Sequence, residues 1–174
     1  RIGQPLPLGM SETSDGFNFA LFSRHAHRVT LLLFEGLNEE PAASFSLDPV
    51  LNHTGDVWHV ALGREARGKT YAYRVEGPWD PEHGHRFKAQ APLLDPYATT
   101  PVGSKLSPSD KKSHALPPRA WIVDDPFDWQ GDRPPNRPWS ETIIYETHVR
   151  GLTIHPSSGT THCGTYVGLV EMIP

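Results

Sequence analysis

YAYRVEGPWDPEHGHRFKAQAPLLDPYA, residues 71–98, is the stretch on which the reading of this chain turns. It opens with Tyr71, Tyr73 and Val75 on one side and Ala72, Arg74 and Glu76 on the other. That period of two is the mark of a strand with one buried face. Gly77 and Pro78 then break the pattern, and a loop dense in Pro, Gly, His and Trp follows. It closes on the apolar knot LLDPYA. Two explanations compete for such a loop: a binding site, or a fixture between two domains.

Toward the N-terminus the same signature recurs. In GFNFALFS (16–23), Phe17, Phe19 and Leu21 share a face, and in DVWHVALG (56–63), Trp58, Val60 and Leu62 do so. RVTLLLFE (28–35) is an apolar run too short for a convincing helix, and ASFSLD (43–48) is shorter still. Each segment is bounded by turn residues, and no window of ten residues carries a persuasive helical period. Short strands at this spacing predict a mainly β fold, an immunoglobulin-like antiparallel β-sandwich over about residues 1–105.

Toward the C-terminus the composition shifts. Residues 106–140, rich in Pro, Ser and charge, read as a linker. Trp121, Phe127, Trp129 and Trp139 punctuate it, and four large aromatics are a poor fit to a free tether. The expectation is an ordered segment laid over a folded surface. In ETIIYETHVRGLT (141–153), Ile143, Ile144, Tyr145 and Val149 make a strand apolar on more than one side, as in a parallel sheet. Residues 141–174 are therefore expected to begin a second domain that the sequence does not complete. An orphan strand at 143–149 is also expected to drive self-association.

Composition narrows the function classes. A net charge of -4 over 174 residues gives no basic footprint, which argues against nucleic acid as a partner. No apolar run reaches the ~18 residues of a membrane span. The single cysteine, Cys163, excludes an intrachain disulfide framework and agrees with a reducing compartment, so a cytoplasmic location is expected. Ten histidines include two tight clusters, HGH at 83–85 and HC at 162–163, but neither has the paired spacing of a zinc site. No metal and no cofactor are expected. The acidic residues are scattered through turns such as DPV, DPE and DDPFD, where Asp fixes local structure. Glu146, inside the expected strand at 143–149, reads as an ion-pair partner of Arg150. No catalytic residue is assigned in this chain.

Six segments occur together in order: PLPLGM…DGFNFALFSRHAHRVTLLLFE, VWHVAL, GKTYAYRVEGPWDPEHGHRF, LLDPYA, IIYETHVRGLT and GTYVGL. In them the chain resembles the N-terminal part of isoamylase-type glycogen debranching enzymes of glycoside hydrolase family 13. The resemblance implies a family 48 carbohydrate-binding module over 1–105, a Pro-rich linker over 106–140 and the start of a (β/α)8 barrel at 141–174. IIYETHV would be the first barrel strand, with His148 and Arg150 at its end and bordering the active site of the complete barrel. The parent activity it implies is hydrolysis of α-1,6 branch linkages in glycogen, amylopectin or limit dextrin. Such hydrolysis needs two positioned carboxyl groups, and in the family they lie on later barrel strands. The implied partner is an α-glucan.

Glucan-binding members of these modules hold the polysaccharide with two Trp and a Lys. Trp79 matches one of those Trp positions, and the candidate carbohydrate contact is therefore Trp79. Ala72 stands at the Lys position, and the loop GLNEEPAA (36–43) has no Trp. One contact of three survives, which argues that the sandwich has lost that glucan site or uses another. After RF the family reads Asn-Pro and then Lys, where this chain has FKAQAP. The loop after Gly77 is read mainly as an interdomain fixture. A stand-alone glucan-binding or structural module without catalysis remains the alternative.

Overall fold

The computed structural model describes residues 1–103, 117–123 and 128–173. The chain divides into two compact units, Arg1–Pro126 and Phe127–Pro174.

The first unit is a β-sandwich. One sheet has the order β1-β2-β6-β5, from β1 (Gly9–Thr13), β2 (Gly16–Phe22), β5 (His53–Thr54) and β6 (Val57–Gly63). The other has the order β10-β11-β7-β3-β4, from β3 (Arg28–Phe34), β4 (Ala43–Ser46), β7 (Thr70–Glu76), β10 (Pro101–Val102) and β11 (Arg119–Trp121). Every pairing in the two sheets is antiparallel. The alternation read from the sequence sets the inner faces. Phe17, Phe19, Leu21, Trp58 and Val60 from one sheet meet Val29, Leu31, Leu33, Tyr71, Tyr73 and Val75 from the other in one buried cluster. Phe19 and Tyr71 touch edge-to-face across it, their ring centroids 5.0 Å apart. Each such side chain contributes ~1.5–3 kcal/mol by leaving water, so this layer carries most of the sandwich's stability.

Residues 29–34 of RVTLLLFE are buried on both sides, because the outer face of their sheet is also covered. Leu32, Phe34 and Ala72 form a second small cluster there. The Arg119 side chain lies over Phe34 there; it comes from β11, a strand of the same sheet that the sequence placed in the linker. Arg119, Ala120 and Ile122 are all buried, and β11 pairs with β7 through Ala120↔Tyr71 and Trp121↔Thr70. Three residues among prolines and charges give too short an alternation to be seen, and a buried Arg hides it further.

The second unit differs from its expectation. Residues 142–148 form no strand, and Val149–Thr153 is a short helix, α1. Ile143, Ile144 and Tyr145 are exposed. The reason is that a parallel strand satisfies its N–H and C=O groups only through neighbours. No strand lies beside this segment among the described residues. His148 instead caps α1, its Nδ1 accepting from the Gly151 N–H at 3.2 Å. The segment GTYVGLVEMIP does enter a helix, α2 (Tyr166–Val170), capped by Thr165. Of the four linker aromatics, Trp121 is half-buried, while Trp129 and Trp139 are 65% and 83% exposed. Phe127 lies outside the described residues.

Candidate functional site

The loop after β7 is a built hairpin. β8 (Trp79–Asp80) pairs with β9 (His85–Arg86), Trp79 opposite Arg86 and Asp80 opposite His85. Pro81–His83 make a 3-10 turn, and Gly84 follows at φ +86°, a left-handed conformation that suits glycine. At the hairpin's base the chain runs against its neighbours. A Cβ on Gly77 would stand 2.7 Å from Phe87 Cγ and 2.9 Å from the His25 carbonyl oxygen, so only glycine fits. The His83 ring bonds Asp80 Oδ2 through Nδ1 at 2.8 Å, and His25 and His85 meet edge-to-face at 4.6 Å. These partners account for both histidines of HGH.

Trp79, the candidate carbohydrate contact, stands on this hairpin. Its side chain is 56% exposed, with Lys88 Nζ 5.4 Å from its ring centroid. An exposed indole with an ammonium beside it offers an apolar ring face and three hydrogen-bond donors together.

The knot LLDPYA anchors the loop to the sandwich. Leu93 exchanges both backbone hydrogen bonds with Tyr73, at 2.9 and 2.7 Å. Asp95, 1% exposed, accepts the Tyr71 hydroxyl on Oδ2 and the Tyr97 N–H on Oδ1, both at 2.8 Å. Burial raises the Asp95 pKa above the ordinary carboxylate value, and the two donors pull it back. Burial, then the Asp95 charge, also pushes the phenols of Tyr71 and Tyr73 upward. The Tyr73 hydroxyl is buried without a hydrogen-bond partner among the described residues. Asp95 is the one buried carboxylate among the described residues, and both its oxygens are engaged. Its role is to hold the loop. Sequence reading gave Asp95 no role of its own, although a Tyr in YAY and an Asp in LLDPY were the available signal.

The position of the expected lysine is closed. Ala72 is fully buried opposite Leu32. Over the same face, the Arg119 guanidinium stacks on Phe34 at 3.5 Å and donates to the carbonyls of Asn38 (2.5 Å) and Glu39 (3.3 Å). Thr70 Oγ1 donates to the Gly36 carbonyl at 2.6 Å. The loop GLNEEPAA is thereby pinned across the sheet. Arg119 is a further residue that sequence reasoning missed.

In the second unit, His148 and Arg150 share one turn, His148 as the cap of α1 and Arg150 exposed within it. Glu146 is exposed and forms no ion pair with Arg150. His162 Nδ1 lies 2.5 Å from Glu171 Oε1, and this contact is the main reason the Glu171 carboxyl is held below its usual range. The Cys163 thiol donates to the Thr160 carbonyl at 3.0 Å. No group of three or more His, Cys, Asp or Glu converges among the described residues.

Residues 7–98 match the family model described as Carbohydrate-binding module 48 (Isoamylase N-terminal domain). The glycogen debranching enzyme of Klebsiella pneumoniae (strain 342) is 43% identical over 178 residues, covering 96% of this chain and 26% of that protein. The glycogen debranching enzyme of Yersinia enterocolitica is 42% identical over 180 residues, covering 97% and 26%. The chain thus spans about a quarter of the length of these curated relatives. Among solved structures, apo pullulanase from Paenibacillus barengoltzii aligns with TM-score 0.59 at 25% identity, over 97% of this chain and 23% of that one. Pullulanase from Bacillus acidopullulyticus aligns with TM-score 0.61 at 24% identity, over 95% and 18%.

Proposed function

The chain belongs to the carbohydrate-binding module 48 family, and from that premise we propose that it is the N-terminal part of a longer hydrolase that cleaves α-1,6 branch linkages in glycogen or related α-glucans. The observation that carries this reading is the 43% identity to a glycogen debranching enzyme along almost the whole chain, second unit included. The sandwich is the accessory part. Its contribution is to engage the polysaccharide, with Trp79 as an exposed ring platform. The hydrolytic carboxylates belong to the remainder of the polypeptide. His148 and Arg150 border a substrate subsite there.

The second unit favours this reading over a stand-alone module. Trp139, Ile143, Ile144 and Tyr145 are 83%, 95%, 74% and 79% exposed, an unusual concentration of apolar surface. In the longer protein that surface is covered by the elements that complete the second domain.

Two measurements test the proposal. The complete polypeptide carrying this sequence releases reducing ends from β-limit dextrin; no action on α-1,6 linkages would contradict the assignment. In a glycogen-containing gel the 174-residue chain is retarded, and Trp79→Ala removes most of the retardation. Equal migration of both proteins with and without glycogen would refute the platform.

A further inference from the structure

We propose that the groove between the end of β2 and the β8–β9 hairpin is a second α-glucan subsite, joined to Trp79 through Arg86. The proposal rests on the glucan reading above. It supplies the site that replaces the one closed at Ala72.

Two clefts of about 350 and 340 Å³ share Phe22, Ser23, Gly84 and Phe87, so they form one continuous groove. The larger lies within the ~300–1,000 Å³ range of small-molecule sites. Its walls are ring faces. Phe22 is the last residue of β2 and is 53% exposed, although every other residue of that strand is buried. Phe87, wedged against Gly77, is half-buried on the opposite side. One end of the groove has an aliphatic floor from Leu21 and Val75, with Arg86 on its rim. The other end is lined by Arg24, His25 and His85. Asp56 fixes Arg24 at 2.8 Å, with its guanidinium 5.9 Å from the Phe22 ring centroid. Among the described residues the Arg86 guanidinium makes no hydrogen bond or ion pair.

This lining selects its occupant. No carboxylate faces either cleft. The rim offers many donors and few acceptors, and the walls offer apolar ring faces. A glucan chain presents both matching features: C–H faces that stack on phenyl rings, and hydroxyl and ether oxygens that accept from guanidinium groups. An apolar peptide would leave the rim donors unpaired.

The groove also connects to the platform. Trp79 and Arg86 are direct partners across the hairpin, so their side chains leave the same face. A glucan chain stacked on the indole therefore passes the Arg86 guanidinium on its way to Phe22 and Phe87.

The test is calorimetric titration of the whole 174-residue chain with maltoheptaose. Wild type, Trp79→Ala, Phe22→Ser and Arg86→Gln are compared. Phe22 and Arg86 are exposed, and far-ultraviolet circular dichroism with thermal unfolding verifies that both variants fold. Phe22→Ser and Arg86→Gln each weaken maltoheptaose binding by about tenfold, the effect of losing one good contact or one charged hydrogen bond. If both bind as wild type while Trp79→Ala is weakened, the groove is overturned and the indole platform stands. If Phe22→Ser and Arg86→Gln are weakened while Trp79→Ala is not, the groove stands and the platform falls. A wild type that binds no maltoheptaose overturns both.

Discussion

Tyr71→Phe should destabilise the sandwich in a pH-dependent way. The substitution removes one oxygen and no carbon, so the packing of the ring against Phe19 is kept. What is lost is the hydroxyl that donates to Asp95 Oδ2 at 2.8 Å in a fully buried setting. A hydrogen bond to a charged group is worth ~1.5–3 kcal/mol, and the stranded carboxylate oxygen keeps the cost toward the upper half of that range. At ~4 °C per kcal/mol for a unit of this size, the upper half of that range lowers the midpoint by about 9–12 °C at neutral pH.

The pH dependence follows from the direction of the Asp95 shift. Its folded pKa lies above the unfolded value because burial disfavours the charge. The stability tied to Asp95 is therefore fully present below the unfolded pKa and is lost as pH rises through the folded one. Without the Tyr71 hydroxyl the folded pKa rises further, so the variant keeps losing stability over a pH interval in which the wild type has levelled off. The penalty is smallest near pH 4 and largest near pH 7–8. Urea unfolding of both proteins at several pH values, followed by tryptophan fluorescence, measures it. A penalty below ~0.5 kcal/mol, or one that is equal at pH 4 and pH 8, refutes the role given to this bond.

Three further outcomes are expected. The 174-residue chain alone should not hydrolyse pullulan or β-limit dextrin in a reducing-sugar assay, and turnover that survives repurification would contradict this. The sandwich should lose stability in acid as pH falls below ~6.5 toward the folded pKa of His59, which burial and then the His53 charge depress; His59→Gln should flatten the slope of urea-unfolding free energy between pH 7 and 5, and an unchanged slope would exclude His59 as its source. The whole chain should self-associate through residues 143–149, where Ile143 is 95% exposed, and a chain ending at Arg137 should scatter light as a monomer; a monomeric 174-residue chain would rule out this contact.

The strands of the sandwich were legible because their alternation is local: Phe17, Phe19 and Leu21, or Tyr71, Tyr73 and Val75, announce a buried face by spacing alone. β11 was not, because its burial is decided by β7, some fifty positions earlier in the chain, and its buried Arg119 reads as a surface residue. The strand expected at 143–149 failed for the opposite reason. Its apolar residues are real, but a strand exists only with a neighbour, and composition does not supply one. At the candidate site, Trp79 was identified by motif, whereas its exposure depends on how the hairpin folds back. The groove between Phe22 and Phe87 joins residues 65 positions apart, a proximity that follows from sheet order and that no local pattern encodes.

The placement of β11 also bears on how the chain emerges from the ribosome. β7 is complete once Glu76 has been made, but among the described residues its outer edge beside Thr70 and Tyr71 is paired by Ala120 and Trp121. Forty-five residues separate Glu76 from Trp121, a delay of about 2–9 s at typical rates of ~5–20 residues per second. Leu93, which pairs with Tyr73 on the same edge, is made within that interval and is available to shield half of that edge. The other half stays open to any extended chain nearby, which is the hazard of an unpaired edge strand. Nascent chains arrested between residues 76 and 121 are thus the ones that expose this edge, and the pairing of Ala120 and Trp121 with β7 covers it.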